Sequence, residues 1–226
     1  MRKVKVGINV PVFVLEYLLG KFCASSDPMA IQMGLQVVLE TLANNYIRAD
    51  ESGKAQSMVK DRGSHSFIDK VKVRVVDSDY WAEVVNFGHR NVHIPERFIP
   101  EYDRLVTGGI WAQVDMRFEW DEQSKGRNPF WIERLVPIQI ATFDLEEYRR
   151  CRKEFTSDQW LDLIVRSLGY EPDGMTRRLK LLFMVRLIPL AERNFNVVEL
   201  GPPGTGKSYV AQQVSPYSAL LTGGAT

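Results

Sequence analysis

Hydrophobic positions in the first third of the chain recur at helical spacing. Between Pro11 and Cys23, Val14, Leu15, Leu18, Leu19 and Phe22 share one face, which predicts a helix over that stretch. Asp27-Pro28 caps and opens a second helix running to about Ile47, with Met29, Met33, Val37, Leu42 and Ile47 among its buried candidates. A third, polar helix is expected from Glu51 to Asp61, ending at Gly63. From Phe67 the period becomes two. Val71, Val73 and Val75 alternate with Lys72 and Arg74, and after the turn Asp77-Ser78-Asp79 a second strand runs from Tyr80 to Phe87. The cleanest alternation is Ile110, Ala112, Val114, Met116, Phe118, Trp120, one face dry and the other wet. With Val92-His93-Ile94 and the run from Phe130 to Ile140, about five short strands are predicted, enough for a small closed or nearly closed barrel. Pro95 to Leu105 reads as a short helix between strands.

Helical signals return at Asp144. Thr156 or Ser157 caps a helix carrying Trp160, Leu161, Ile164, Val165 and Leu168 and ending at Gly169. Another is expected from Thr176 to Arg193, with Leu179, Leu182, Phe183, Val185, Leu187 and Leu190, kinked or ended by Pro189. Asn196 to Leu200 then reads as a strand, Gly201 to Ser208 as a loop, Gly206 to Val214 as a helix and Ser218 to Thr222 as a second strand. The fold class is α+β, in three parts: residues 1–142 a helical layer with the barrel, 143–194 a helical connector, 195–226 the start of a nucleotide-binding unit.

Composition changes this picture little. The 226 residues are 45% hydrophobic, enough for real cores, and 29 Lys+Arg against 28 Asp+Glu neither require nor exclude a nucleic-acid partner. Cys23 and Cys151 form no C-x-x-C pair, so neither a zinc ribbon nor a disulfide framework is indicated, and a reducing cytoplasm is the expected location. The apolar run near the start is interrupted by Asn9, Pro11, Glu16 and Lys21, which argues against an export signal, and no membrane partner is expected.

Gly201-Pro-Pro-Gly-Thr-Gly-Lys-Ser208 fits the phosphate-binding pattern G-x-x-x-x-G-K-[ST]. Gly201, Gly204, Thr205 and Gly206 would shape a loop whose N–H groups converge on phosphate at a helix start, Lys207 would meet the β- and γ-phosphates, and Ser208 would ligate Mg²⁺. Hydrolysis needs a further acidic strand and a stabilising arginine, so no catalytic residue is assigned. Glu119 and Asp121, flanking Trp120, read as solvated charges at the barrel edge. Two basic stripes stand out: Lys60, Arg62, Lys70, Lys72 and Arg74 on the third helix and first strand, and Arg149, Arg150, Arg152 and Lys153. Either would contact phosphates, the alternative being a solvated face. Trp81, Trp111 and Trp131 are candidates for stacking on bases, with the barrel core as the other home for at least one. His65, His89 and His93 do not have the spacing of a metal site, and no protease triad or dyad can be placed.

The stretches GINVPVFVLEYLLGKFCASSD, LVTGGIWAQV, FTSDQWLDLIVRSLGYEP, RLIPLAERNFNVVELGPPGTGKSYV and SPYSALLTGGAT closely resemble the Lon-like proteins of bacterial BREX phage-defence systems, over essentially the whole chain. That resemblance implies an AAA+ ATPase with an OB-like N-terminal barrel, ring-shaped self-assembly, DNA as a partner, possible contacts with other BREX components, and ATP and Mg as cofactors. It also implies a longer protein. This chain would be a fragment holding the DNA-binding, oligomer-organising N-terminal region and the first β-α-β of the ATPase, itself inactive and binding no cofactor tightly. The alternative is a protein-interaction module that recruits other defence components without touching DNA.

Overall fold

The computed structural model describes residues 10–120, 128–138, 144–215 and 218. The chain divides into two compact units, residues 17–139 and residues 1–16 with 140–226. Helix α1 (Val12–Phe22) straddles this division.

In the first unit, α2 (Pro28–Asn45) begins as its sequence requires: Asp27 accepts hydrogen bonds from the Met29 and Ala30 N–H groups, and Pro28 occupies the first turn. Its buried face differs from the expected one. Gly34, Val38 and Leu42 are buried, whereas Met29, Met33 and Val37 are exposed. Both sets have four-residue spacing and lie one residue apart, so the pattern alone cannot choose between them. Gly34 decides it, because a Cβ there would meet the Phe22 carbonyl oxygen at 2.0 Å. Ile47 is buried but lies beyond the helix end. A 3₁₀ turn (Ala49–Glu51) leads into α3 (Ser52–Arg62), which Gly63 ends with a positive φ.

Five strands follow: β1 (Ser64–Val76), β2 (Asp79–Val84), β3 (His89–His93), β4 (Ile110–Phe118) and β5 (Phe130–Pro137), with short helices α4 (Phe98–Glu101) and α5 (Arg104–Thr107) between β3 and β4. The strand order is β1-β2-β3-β5-β4, and β4 pairs back with β1, so the sheet closes into a barrel. All ladders are antiparallel except the short β3–β5 contact. Val71, Val73, Ala82, Val84, Val92, Ala112, Val114, Met116 and Ile132 point inward with Phe67, Phe87 and Phe130. Val75, which the alternation places on the face of Val71 and Val73, is exposed, and it lies beyond Val71, where the β4 ladder ends.

Gly109 joins α5 to β4 at φ 78°, and a Cβ would lie 2.7 Å from the Val71 carbonyl oxygen. We expect Gly109→Ala to destabilise this unit by about 2 kcal/mol or more, from backbone strain plus that collision, read as a lower denaturant midpoint at unchanged slope.

The second unit is helical: α6 (Leu145–Lys153), α7 (Ser157–Ser167), α8 (Arg177–Ala191) and α9 (Lys207–Val214). Thr156 forms a capping box with Gln159 at the start of α7. Val165, Leu168, Phe183 and Val210 make its core, so α9 is anchored on α7 and α8. Of the apolar residues along α8, Leu179, Leu182, Val185 and Leu190 are exposed and Phe183 is buried. The helix also continues past Pro189 to Ala191, because a proline so near the end disturbs only the last turn. The expected strand from Asn196 to Leu200 is not formed. It has no pairing partner among the described residues, and Val198 and Leu200 are solvent-exposed. The expected strand from Ser218 to Thr222 lies, apart from Ser218, outside the described residues.

Candidate functional site

The loop from Gly201 to Gly206 enters α9 through two glycines of positive φ, Gly204 at 81° and Gly206 at 77°. Gly206 is the N-cap and no side chain caps the helix, which leaves the first-turn N–H groups of α9 available to an anion. Tyr170 crowds Gly206: an added Cβ would lie 2.7 Å from its hydroxyl oxygen. Lys207 folds back into its own loop and donates to the Gly201 carbonyl at 2.9 Å, the Pro202 carbonyl at 2.7 Å and Thr205 Oγ1 at 3.0 Å. Ser208 is exposed. Arg186 of α8, largely buried, clamps the approach to the loop through Glu199 (Nη2 to Oε1 2.6 Å, Nε to Oε2 3.0 Å). Sequence reading missed Arg186, Glu199 and Tyr170, although Glu199 lies two residues before the loop. Gly204, Gly206, Lys207 and Ser208 thus lie together at the start of α9.

The two basic stripes differ in surroundings. On α6, Arg149 pairs with Glu146 at 2.8 Å and Arg150 with Glu147 at 3.3 Å, while Arg152 lies over the Trp160 ring and donates to the Phe155 carbonyl. Three of the four basic side chains there are engaged within their own segment; Lys153 is exposed. In the barrel unit, Lys60 and Arg62 are exposed at the end of α3. Lys70 and Lys72 project outward from β1 beside Arg104, which the sequence reading did not single out. Burial holds the Lys70 ammonium below its ordinary pKa, and the charges of Lys72 and Arg104 push in the same direction. Arg74 donates to the Arg90 carbonyl and to Asn91 Oδ1.

None of Trp81, Trp111 and Trp131 belongs to the core. Each is half-buried on the outer wall, because their neighbours Ala82, Ala112 and Ile132 take the inward positions. Trp111 sits opposite Lys70. Trp81 and Trp131 meet across His93, with ring centroids at 4.7 Å and 4.0 Å, the latter pair nearly parallel. The registers extend this row to Arg74–Trp81–His93–Trp131–Arg117, one residue from each strand. His89 instead bonds Asn128 and packs on Phe130, and His65 bonds the Asn44 carbonyl, so the three histidines have separate partners. Glu119 pairs with Arg117 at 2.9 Å; Asp121 lies outside the described residues.

Asp69 was also missed. It is fully buried in β1 and accepts hydrogen bonds from the N–H groups of Lys70, Asn86 and Phe87. Burial pushes its carboxyl up to about 6, against the pull of those donors. The signal was present, since Asp69 lies in phase with Val71 and Val73 on the inward face.

Residues 1–118 match the family described as BREX system Lon protease-like protein BrxL, N-terminal, and residues 130–226 match the Lon-like protease BrxL-like ATPase domain. The Lon-like protease BrxL of Bacillus cereus (strain H3081.97) is 44% identical over 227 residues, covering all of this chain and 34% of the relative. That of Escherichia coli O9:H4 (strain HS) is 43% identical, covering all of this chain and 33% of the relative. The chain therefore spans about a third of the length of these curated relatives. The matched segments cover both the barrel and the nucleotide loop, and the chain belongs to the BrxL family of Lon-like BREX proteins.

Proposed function

We propose that this chain is the DNA-binding, oligomer-organising N-terminal region of a BREX Lon-like AAA+ ATPase, joined to the phosphate-loop part of its nucleotide site. The observation that carries the DNA reading is the gathering of Lys70 and Lys72 of β1 around Gly109, at the end of the short helix that carries Arg104. Like charges held together raise the local potential and attract a polyanion. The strand order β1-β2-β3-β5-β4 supports an OB-like assignment, a fold that presents its outer wall and loops to nucleic acid. The loop supports ATP and Mg as cofactors of the whole protein. The family name supports other BREX components as partners, and the resemblance to AAA+ ATPases supports further copies of the chain. No helix among the described residues is long and apolar enough to cross a membrane.

The test is the salt dependence of duplex DNA binding. Replacing Lys70, Lys72 and Arg104 together with Gln is expected to lower affinity about tenfold for unrelated sequences. It should also flatten the log–log salt slope by roughly 0.9 for each phosphate no longer neutralised. The matching Arg149, Arg150 and Arg152 replacement should do less, because Glu146 and Glu147 beside Arg149 and Arg150 lower the positive potential of that cluster. Equal affinity and slope for the Lys70/Lys72/Arg104 variant would remove the barrel wall from the DNA site.

A further inference from the structure

An open groove of about 1200 Å³ runs over the outer face of β2, β3 and β5. Its floor is the column Trp81–His93–Trp131, and Tyr80 and Trp120 stand at its sides, Trp120 being 55% exposed. The charged groups among its described lining are Asp79, Glu96 and Glu119 against Arg117. Arg117 is already bonded to Glu119 at 2.9 Å and to Glu133 at 3.0 Å. Asp79 and Glu96 have no ion-pair partner among the described residues, and both are exposed. Arg74, at the other end of the row, has its guanidinium bonded to Asn91 and the Arg90 carbonyl.

We propose that this groove docks a basic peptide segment of a protein partner, one arginine or lysine side chain of which seats among the tryptophans. Indole faces carry negative potential and attract cations. The carboxylates add to that attraction, and a guanidinium can also stack on an indole while donating to Glu96 or Asp79. A phosphate chain entering the same groove would meet three carboxylates. One face of Trp131 is moreover covered by His93, which leaves fewer open rings for bases than the sequence suggests. The groove uses none of Lys70, Lys72 and Arg104, so the proposal stands or falls apart from the DNA reading.

The experiment titrates fluorescein-labelled nona-arginine peptide against the 226-residue chain, reading anisotropy and tryptophan quenching, and titrates fluorescein-labelled oligothymidylate separately, since the two polyions bind each other when mixed. The peptide should quench tryptophan, and oligothymidylate should bind the parent chain and the Trp120→Ala variant equally. The Asp79→Asn/Glu96→Gln variant should bind the peptide about tenfold more weakly at unchanged thermal stability, roughly 1.4 kcal/mol. Trp81→Ala should lose affinity similarly. Should it loosen the sheet, Trp120→Ala, on no strand, serves instead. Peptide affinity unchanged by both the carboxylate and the tryptophan variants would overturn the proposal, as would oligothymidylate affinity that falls with Trp120→Ala while peptide affinity does not. That second result would make the groove a single-strand site.

Discussion

Replacing Asp69 with Asn is expected to destabilise the barrel unit by about 2–4 kcal/mol, lowering its thermal midpoint by on the order of 10 °C. The substitution keeps the shape and removes the charge, yet it is not conservative here. Both carboxylate oxygens face donors: Oδ1 accepts from the Lys70 N–H at 2.6 Å and the Asn86 N–H at 3.0 Å, and Oδ2 from the Asn86 N–H at 2.8 Å and the Phe87 N–H at 2.9 Å. An amide nitrogen on either side would oppose a backbone N–H, leaving at least one buried donor without an acceptor. The pH dependence separates this residue from an ordinary packing position. Burial raises its folded pKa from 3.8 to about 6, so the fold binds this proton more tightly than the unfolded chain does. The resulting stability is fully present below about pH 4 and is lost as pH rises through about 6, a difference of roughly 3 kcal/mol. Thermal unfolding from about pH 4 to about pH 7.5 should show that decline in the parent chain and lose it in Asp69→Asn. A decline unchanged in the variant would assign it to other groups.

Lys207→Ala is expected to reduce magnesium–ATP affinity at least tenfold in calorimetric titration, because the lysine is the loop's own charged donor to phosphate. The parent chain should bind no tighter than about millimolar, near −4 kcal/mol. Its Lys207 ammonium satisfies three loop oxygens, at 2.7 to 3.0 Å, and must leave them to reach a nucleotide. Phosphate release should stay at background in both proteins, since the loop supplies only part of the positioning and charge stabilisation that transfer to water demands. Affinity equal in the two would exclude the loop as the nucleotide site. Turnover that disappears with Lys207 would show that another segment or subunit completes it.

Much of the architecture was legible because its signals are local. The Asp27-Pro28 start of α2, the Thr156 cap of α7 and the alternation from Ile110 to Phe118 each depend on a few neighbouring residues and the backbone geometry they favour. The loop from Gly201 and the helix that follows it were legible for the same reason, since one short segment carries both. Burial on α2 and α8 was not, because each helix has apolar residues on more than one side and only its neighbours select the covered one. The expected strand at Asn196 failed on the same ground, as a strand is completed by a partner's hydrogen bonds rather than by its own residues.

The sequence by itself thus determined the caps of α2 and α7, the inward face of β4, and the loop that opens α9. Only the tertiary structure decided that Arg104 joins Lys70 and Lys72, and that Trp81 and Trp131 meet across His93. These groupings join side chains from different elements, brought together by register and barrel closure. Charge and stacking act over a few ångströms in space, and separation along the chain does not report that distance.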